Sequence, residues 1–148
     1  RRIRREDVVL VDWGIDYQGY KSDLTRMFFL GRIPKLVRTV NDTVQKAQQL
    51  AIAAMQENVP IAQIDYQARN YLESHGLAKY FGHALGHGVG LEIHEAPRLA
   101  GSNQLPLKSG MVVTIEPAVY LPNQFGIRIE DMILMTPKGA KNLSGHIY

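Results

Sequence analysis

The chain contains no cysteine. That excludes disulfides, thiolate nucleophiles and sulfur-ligated zinc, and it is compatible with a reducing cytoplasm, the expected location. It also lacks any run of about 18 or more apolar residues, so no transmembrane helix and no membrane partner is expected. The charged N-terminus is not followed by the apolar stretch of a signal peptide. Neither sign of charge dominates: 17 Lys+Arg against 14 Asp+Glu leave a net +3. Four of the first five residues are arginine (Arg1, Arg2, Arg4, Arg5). No interleaved aromatics or second basic patch accompany them, so they read as a solvated lead-in to a strand, and no nucleic-acid partner is expected. Repeats, low-complexity segments and linkers are absent too. What remains is 148 residues at 45% hydrophobic content, one soluble globular unit with room for a core.

The densest chemistry lies in GHALGHGVGLEIHE, Gly82 to Glu95, which packs three histidines and four glycines into fourteen residues. Glycine permits tight bends and close backbone approach. Histidine is the commonest neutral metal ligand and a proton carrier near neutral pH. One histidine in a glycine-rich turn would usually be satisfied by a nearby carbonyl. Three in one loop point to a site.

The carboxylates that would complete it flank this loop. Upstream, VVLVDWGIDYQGYKSDLTRMFF carries Asp12 and Asp23. Its Val8–Val11 run reads as a strand buried on both faces, and Tyr20–Phe29 as the second arm of a hairpin. Downstream, MVVTIEPAVYLPNQFGIRIEDMILM carries Glu116 and Glu130 after the apolar runs Met111–Ile115 and Ile127–Ile129, with turn signals at Pro122–Asn123 and Gly126. A lone carboxylate in such a setting is usually a strand-end charge facing water. Four on apolar strands call for neutralisation. Their formal −4 matches two divalent cations, and an imidazole adds a ligand without changing the balance. An oxygen-rich set with one nitrogen suits Mn²⁺, Co²⁺ or Fe²⁺, with Zn²⁺ less typical.

Between the two carboxylate segments the chain reads as helical. Val37, Val40, Val44, Ala47, Ala51 and Ala54 mark one face of a long helix that begins near Pro34 and cannot continue through Pro60. Ile61, Ile64, Ala68, Tyr71 and Leu72 mark a second, with Gly76 as its stop. The order hairpin, two helices, glycine-rich loop, further strands suits an α+β fold with helices covering one face of a curved antiparallel sheet.

The motifs VDWG…GYKSDLTR, GHALGHGVGLEIHE, VVTIEP and GIRIED resemble those of the pita-bread metallopeptidases: methionine aminopeptidase, Xaa-Pro aminopeptidase and Xaa-Pro dipeptidase (prolidase), with creatinase as a non-peptidase relative. The resemblance runs from about Asp7 to Thr136. It implies a pita-bread fold and a ligand set of Asp12, Asp23, His87, Glu116 and Glu130. Asp23 and Glu130 would bridge two ions, Asp12 would serve one, and His87 with Glu116 the other. The two glutamates are fourteen residues apart, the compact spacing of the proline-specific branch. The implied activity is hydrolysis of the Xaa-Pro bond, in dipeptides or longer peptides, with Mn²⁺ as the expected ion and a homodimer as the expected assembly of the parent protein. Glu116 would shuttle a proton, His94 would donate to the developing oxyanion or leaving group, and His83 would be the second histidine on the substrate side. Arg128, two residues before Glu130, would face the same way and either orient Glu130 through a salt bridge or touch the substrate.

Some positions depart from the pattern. Met27, Ala118 and Met132 differ from the residues common there but replace no ligand. The family carries a helical and strand segment of the same domain, with a further histidine, upstream of its first ligand. Residues 1–148 are therefore expected to be the C-terminal portion of a catalytic domain, with an unpaired strand edge, a cleft open on one side and low activity in isolation. The alternative is a pita-bread domain without catalysis that binds peptides or proteins as a scaffold. Such scaffolds lose ligands, whereas all five are present here.

Overall fold

The computed structural model describes residues 2–147; Arg1 of the basic lead-in and Tyr148 lie outside them. Strand β1, Val8–Trp13, runs antiparallel to β4, Leu24–Phe29, in register from Val8↔Phe29 to Trp13↔Leu24. Between them β2, Asp16–Tyr17, and β3, Tyr20–Lys21, form a small ribbon closed by Gln18 and Gly19. Both have positive φ, 54° and 86°, as a two-residue hairpin turn that matches strand twist requires. The expected arm Tyr20–Phe29 is therefore two strands and not one. It breaks at Ser22–Asp23, where the Ser22 N–H donates to the Ile15 carbonyl (2.9 Å) and its hydroxyl accepts from the Ile15 N–H (3.0 Å). Val8–Val11 is not buried on both faces as expected. Val8, Val9 and Leu10 are half-buried and Val11 is exposed, because among the described residues β1 pairs with β4 alone.

The helices follow the apolar stripes. α1 spans Lys35–Ala54 and buries Val37, Val40, Val44, Ala47 and Ala51, with Ala54 half-buried. α2 spans Ile61–Ser74 and buries Ile61, Ile64, Ala68 and Leu72. Proline precedes each helix at its N-terminal boundary, Pro34 and Pro60, where a missing N–H costs nothing. Gly76 ends α2 at φ 69°. The Gly76 N–H reaches the Glu73 carbonyl and the Leu77 N–H the Leu72 carbonyl, the paired bonds of a glycine-terminated helix. Neither helix is long and apolar enough to cross a membrane.

After a 3₁₀ turn at Ala78–Tyr80 come β5 (Gly86–Gly88), β6 (Glu95–Leu99), β7 (Val112–Ile115), β8 (Ala118–Leu121), β9 (Phe125–Arg128), β10 (Asp131–Thr136) and β11 (Gly139–Asn142). Five of them form an antiparallel sheet in the order β11-β10-β7-β5-β6, and β8 and β9 form a separate hairpin. That hairpin turns at Asn123, φ 60°. Gly126 is not in the turn but inside β9, opposite Tyr120, whose ring occupies the space a side chain would need. The buried faces of α1 and α2 merge with Leu85, Leu99, Ile115, Ile127, Ile133 and Met135 into one core. The class is α+β, as expected. The sheet, however, is not continuous: among the described residues the β1–β4 ribbon shares one β-bridge with the rest, Thr25↔Glu130, and is otherwise joined by side chains such as Arg26 and Arg128.

Candidate metal centre

That bridge marks the site. Asp12 lies on β1 and Asp23 immediately precedes β4; His87 is the middle residue of β5; Glu116 follows β7 and Glu130 separates β9 from β10. Three groups of donor atoms lie within 4.8 Å of one another: His87–Glu116–Glu130, Asp12–Asp23–Glu130 and Asp23–His87–His94. The first two share Glu130 and between them contain all five predicted ligands. His87 Nε2 stands 3.3 Å from Glu116 Oε1 and 3.6 Å from Asp23 Oδ2. Its Nδ1 lies 3.0 Å from the Gly88 carbonyl. A carbonyl can only accept, so Nδ1 carries a proton, and Nε2, on the carboxylate side, is the ring atom placed to ligate a metal.

Residue 87 was expected in a loop, yet it sits in the sheet, for a reason its neighbours supply. A side chain on Gly86 would overlap the Thr114 carbonyl oxygen, and one on Gly88 the Ala96 carbonyl. The glycines let β5 nestle between β6 and β7. The His87 N–H is then held by the Thr114 hydroxyl at 3.1 Å.

The electrostatics are strained in one direction. Burial pushes Glu130 up to about 8 and Glu116 up to about 7. Asp23 is raised by burial and then by the charge of Asp12. Asp12 differs from the other three: its side chain is 47% exposed, so it does not sit on a buried strand as expected. Carboxylates that hold protons this tightly fit a site completed by cations, and four oxygen donors with one imidazole suit a hard or borderline divalent ion.

A profile of metallopeptidase family M24 matches residues 1–137. The chain belongs to this family. It is 42% identical over 144 residues to the Xaa-Pro dipeptidase of Pyrococcus horikoshii, covering 97% of this chain but 41% of the relative. The M24 chain superposes on the prolidase of Pyrococcus furiosus with a TM-score of 0.95 at 43% identity, covering 97% of this chain and 43% of that one. Against the X-Pro aminopeptidase of Thermotoga maritima the TM-score is 0.94 at 37% identity, covering 96% and 40%. The fold is the pita-bread fold, and the chain spans about two-fifths of the length of these relatives.

The remaining predicted residues of this M24 chain line one cavity of about 650 Å³, whose wall includes His83, His87, His94, Glu116 and Arg128. His94 is exposed at its rim, with its ring 4.1 Å from that of His87. His83 is half-buried and its pKa is lowered, chiefly by burial. Its Nδ1 faces the Ala84 carbonyl (2.8 Å), which leaves Nε2 to accept from the Tyr120 hydroxyl at 3.2 Å. Of the two roles expected for Arg128, the direct salt bridge to Glu130 is not formed, while the residue does line the cavity. It pairs with Asp12 and donates to Thr25 Oγ1 (3.0 Å) and the Tyr120 hydroxyl (2.9 Å). Thr25 in turn donates to Glu130 Oε2 at 2.7 Å, so the link from Arg128 to Glu130 passes through a hydroxyl. Thr25, Thr114 and Tyr120 are the residues the sequence reading passed over. Thr25 lies two positions after Asp23, and Thr114 and Tyr120 lie two before and four after Glu116, but nothing in the sequence sets the three apart from other strand residues.

Proposed function

We propose that the whole protein hydrolyses Xaa-Pro peptide bonds with two divalent ions, Mn²⁺ by preference, held by Asp12, Asp23, His87, Glu116 and Glu130. The observation that carries this is the pair of donor trios meeting at one buried carboxylate, Glu130. Four carboxylates balance two divalent charges, and the single imbalance of donor type is one neutral imidazole. Bound ions would supply Lewis acidity and an activated water. Glu116 is the proton carrier: as a ligand of one ion it would lie beside the activated water, within reach of the proton that water gives up. His94 stands at the open rim and donates to the substrate oxygen that gains charge. His83 and Arg128 line the same cavity and hold the peptide on its other side, their orientation fixed by the shared Tyr120 hydroxyl.

The proline preference rests on relatives whose names specify Xaa-Pro or X-Pro peptidases, and on the short β8–β9 connection between the two glutamates. A cytoplasmic homodimer is proposed as the working form. Chelation should abolish Xaa-Pro hydrolysis by the whole protein, and added Mn²⁺ should restore it. Undiminished turnover after complete metal removal would refute the reading. Comparison of Xaa-Pro dipeptides with Xaa-Pro-Xaa tripeptides would then assign the dipeptidase or aminopeptidase branch.

A further inference from the structure

Directly behind Glu130 lies a buried polar cluster that reaches Thr25 and Glu130 through their backbone carbonyls. Arg26, the β4 neighbour of Thr25, is 8% exposed, and all five of its N–H donors are matched. Nη1 donates to the backbone carbonyls of Thr25 (3.0 Å) and Glu130 (2.6 Å). Nη2 donates to Asp131 Oδ1 (2.7 Å) and the Ser144 carbonyl (2.8 Å), and Nε to the Ile147 carbonyl (2.9 Å). Asp131 is also held by the Ser144 hydroxyl at 2.9 Å and by Gln48 Nε2 at 3.2 Å. The Ser144 oxygen accepts from the Met132 N–H (2.9 Å), and the Leu143 N–H donates to the Met132 carbonyl (2.8 Å).

Residues 143–147 thus lie beyond the end of β11 and beyond residue 137, where the family match stops. They nonetheless supply two carbonyls and a hydroxyl to the clamp that grips Glu130 and Thr25. A buried guanidinium left short of acceptors is costly, so this fit ties the C-terminal segment to one backbone geometry at the bridge.

We propose that residues 143–147 act as a latch on the metal centre: through Arg26 and Asp131 they fix the Thr25–Glu130 bridge and so aim the Glu130 carboxylate. Ser144 and Arg26 are positioning residues and touch neither ion nor substrate. The proposal rests on the reading of Glu130 as a metal ligand.

The test is Mn²⁺ titration of the whole protein, metal-free at the start, with Ser144→Ala, Ser144→Thr, Gln48→Ala and Glu130→Gln. Supports of a ligand typically cost about 10-fold or more in affinity when removed. The Kd for Mn²⁺ should rise by about that factor in Ser144→Ala and Gln48→Ala, and Ser144→Thr should restore it. Melting with and without Mn²⁺ separates positioning from general stability. A merely structural Ser144 would lower both midpoints equally, whereas a latch shrinks the interval between them. Unchanged Mn²⁺ affinity in both alanine variants, while Glu130→Gln loses it, would overturn the latch alone. Wild-type protein that fails to bind Mn²⁺, or Glu130→Gln that binds as tightly as wild type, would overturn the ligand reading and the latch with it.

Discussion

The rings of His87 and His94 lie 4.1 Å apart, tilted by 51°, yet differ in what fixes them. The backbone N–H of His87 is tied to Thr114 and its Nδ1 to Gly88, so Nε2 has one direction left. His94 is exposed on the loop before β6 and lines the cavity, where its proposed role is toward substrate. His87→Ala should therefore lose both metal and turnover. His94→Ala should keep metal within about twofold of wild type and lower kcat by about 10²–10³-fold, the range seen when one donor to a developing oxyanion is removed. Metal analysis of the two purified variants checks the division, and equal metal loss would contradict it. The candidate ligands were legible in the sequence because three histidines share one glycine-rich stretch, four carboxylates sit beside apolar runs, and the family resemblance selects among them. Their hydrogen-bonding partners were not, since Thr25, Thr114 and Tyr120 look like ordinary strand residues until the pairing of β4 with β1 and of β8 with β9 is known. For Arg128 only the direct salt bridge to Glu130 is replaced, for the same reason: its paired carboxylate, Asp12, is distant in sequence and comes near only through the tertiary fold.

Among the elements, β5 is the shortest strand of the main sheet and the most constrained. It has three residues, is shared by β6 and β7, and presents His87 only because glycine on either side admits two neighbouring carbonyls. Gly86→Ala would drive a methyl into the Thr114 carbonyl, which must move and take with it the hydroxyl that holds His87. Overpacking of this kind typically costs about 1–3 kcal/mol. The predicted result is a lower melting temperature together with weakened Mn²⁺ binding, read by calorimetry and titration on the same sample. A stable variant with intact metal affinity would show that β5 can be displaced without consequence. The helices were legible almost residue by residue, since each buries a single stripe. β5 was not, because three residues carry no periodicity and glycine reads as loop. The outer face of β1 was misread because a β-branched run reports a strand but not what covers it.

For the molecule as a whole, the raised carboxylates set a pH trend. Glu116 and Glu130 bind protons more tightly when folded than their ordinary 4.5, up to about 7 and about 8. Their contribution to stability is complete below pH 4.5 and is lost as pH rises through those values. His83 acts oppositely, since its lowered pKa gives stability that is lost as pH falls below its ordinary 6.5. With three raised carboxylates, Asp23 among them, against one histidine, chelator-treated protein should show a urea midpoint that falls between pH 5 and pH 8. Glu130→Gln should flatten that slope, and saturating Mn²⁺ should remove or reverse it; a midpoint rising with pH under chelator would refute the assignment. The attachment of the β1–β4 ribbon has a kinetic consequence as well. Two proposed ligands, Asp12 and Asp23, ride on that ribbon, while His87, Glu116 and Glu130 belong to the other side of the one bridge. An ion held from both sides would leave most readily as the ribbon parts from the sheet, and the frequency of that local opening would then set how long a metal stays.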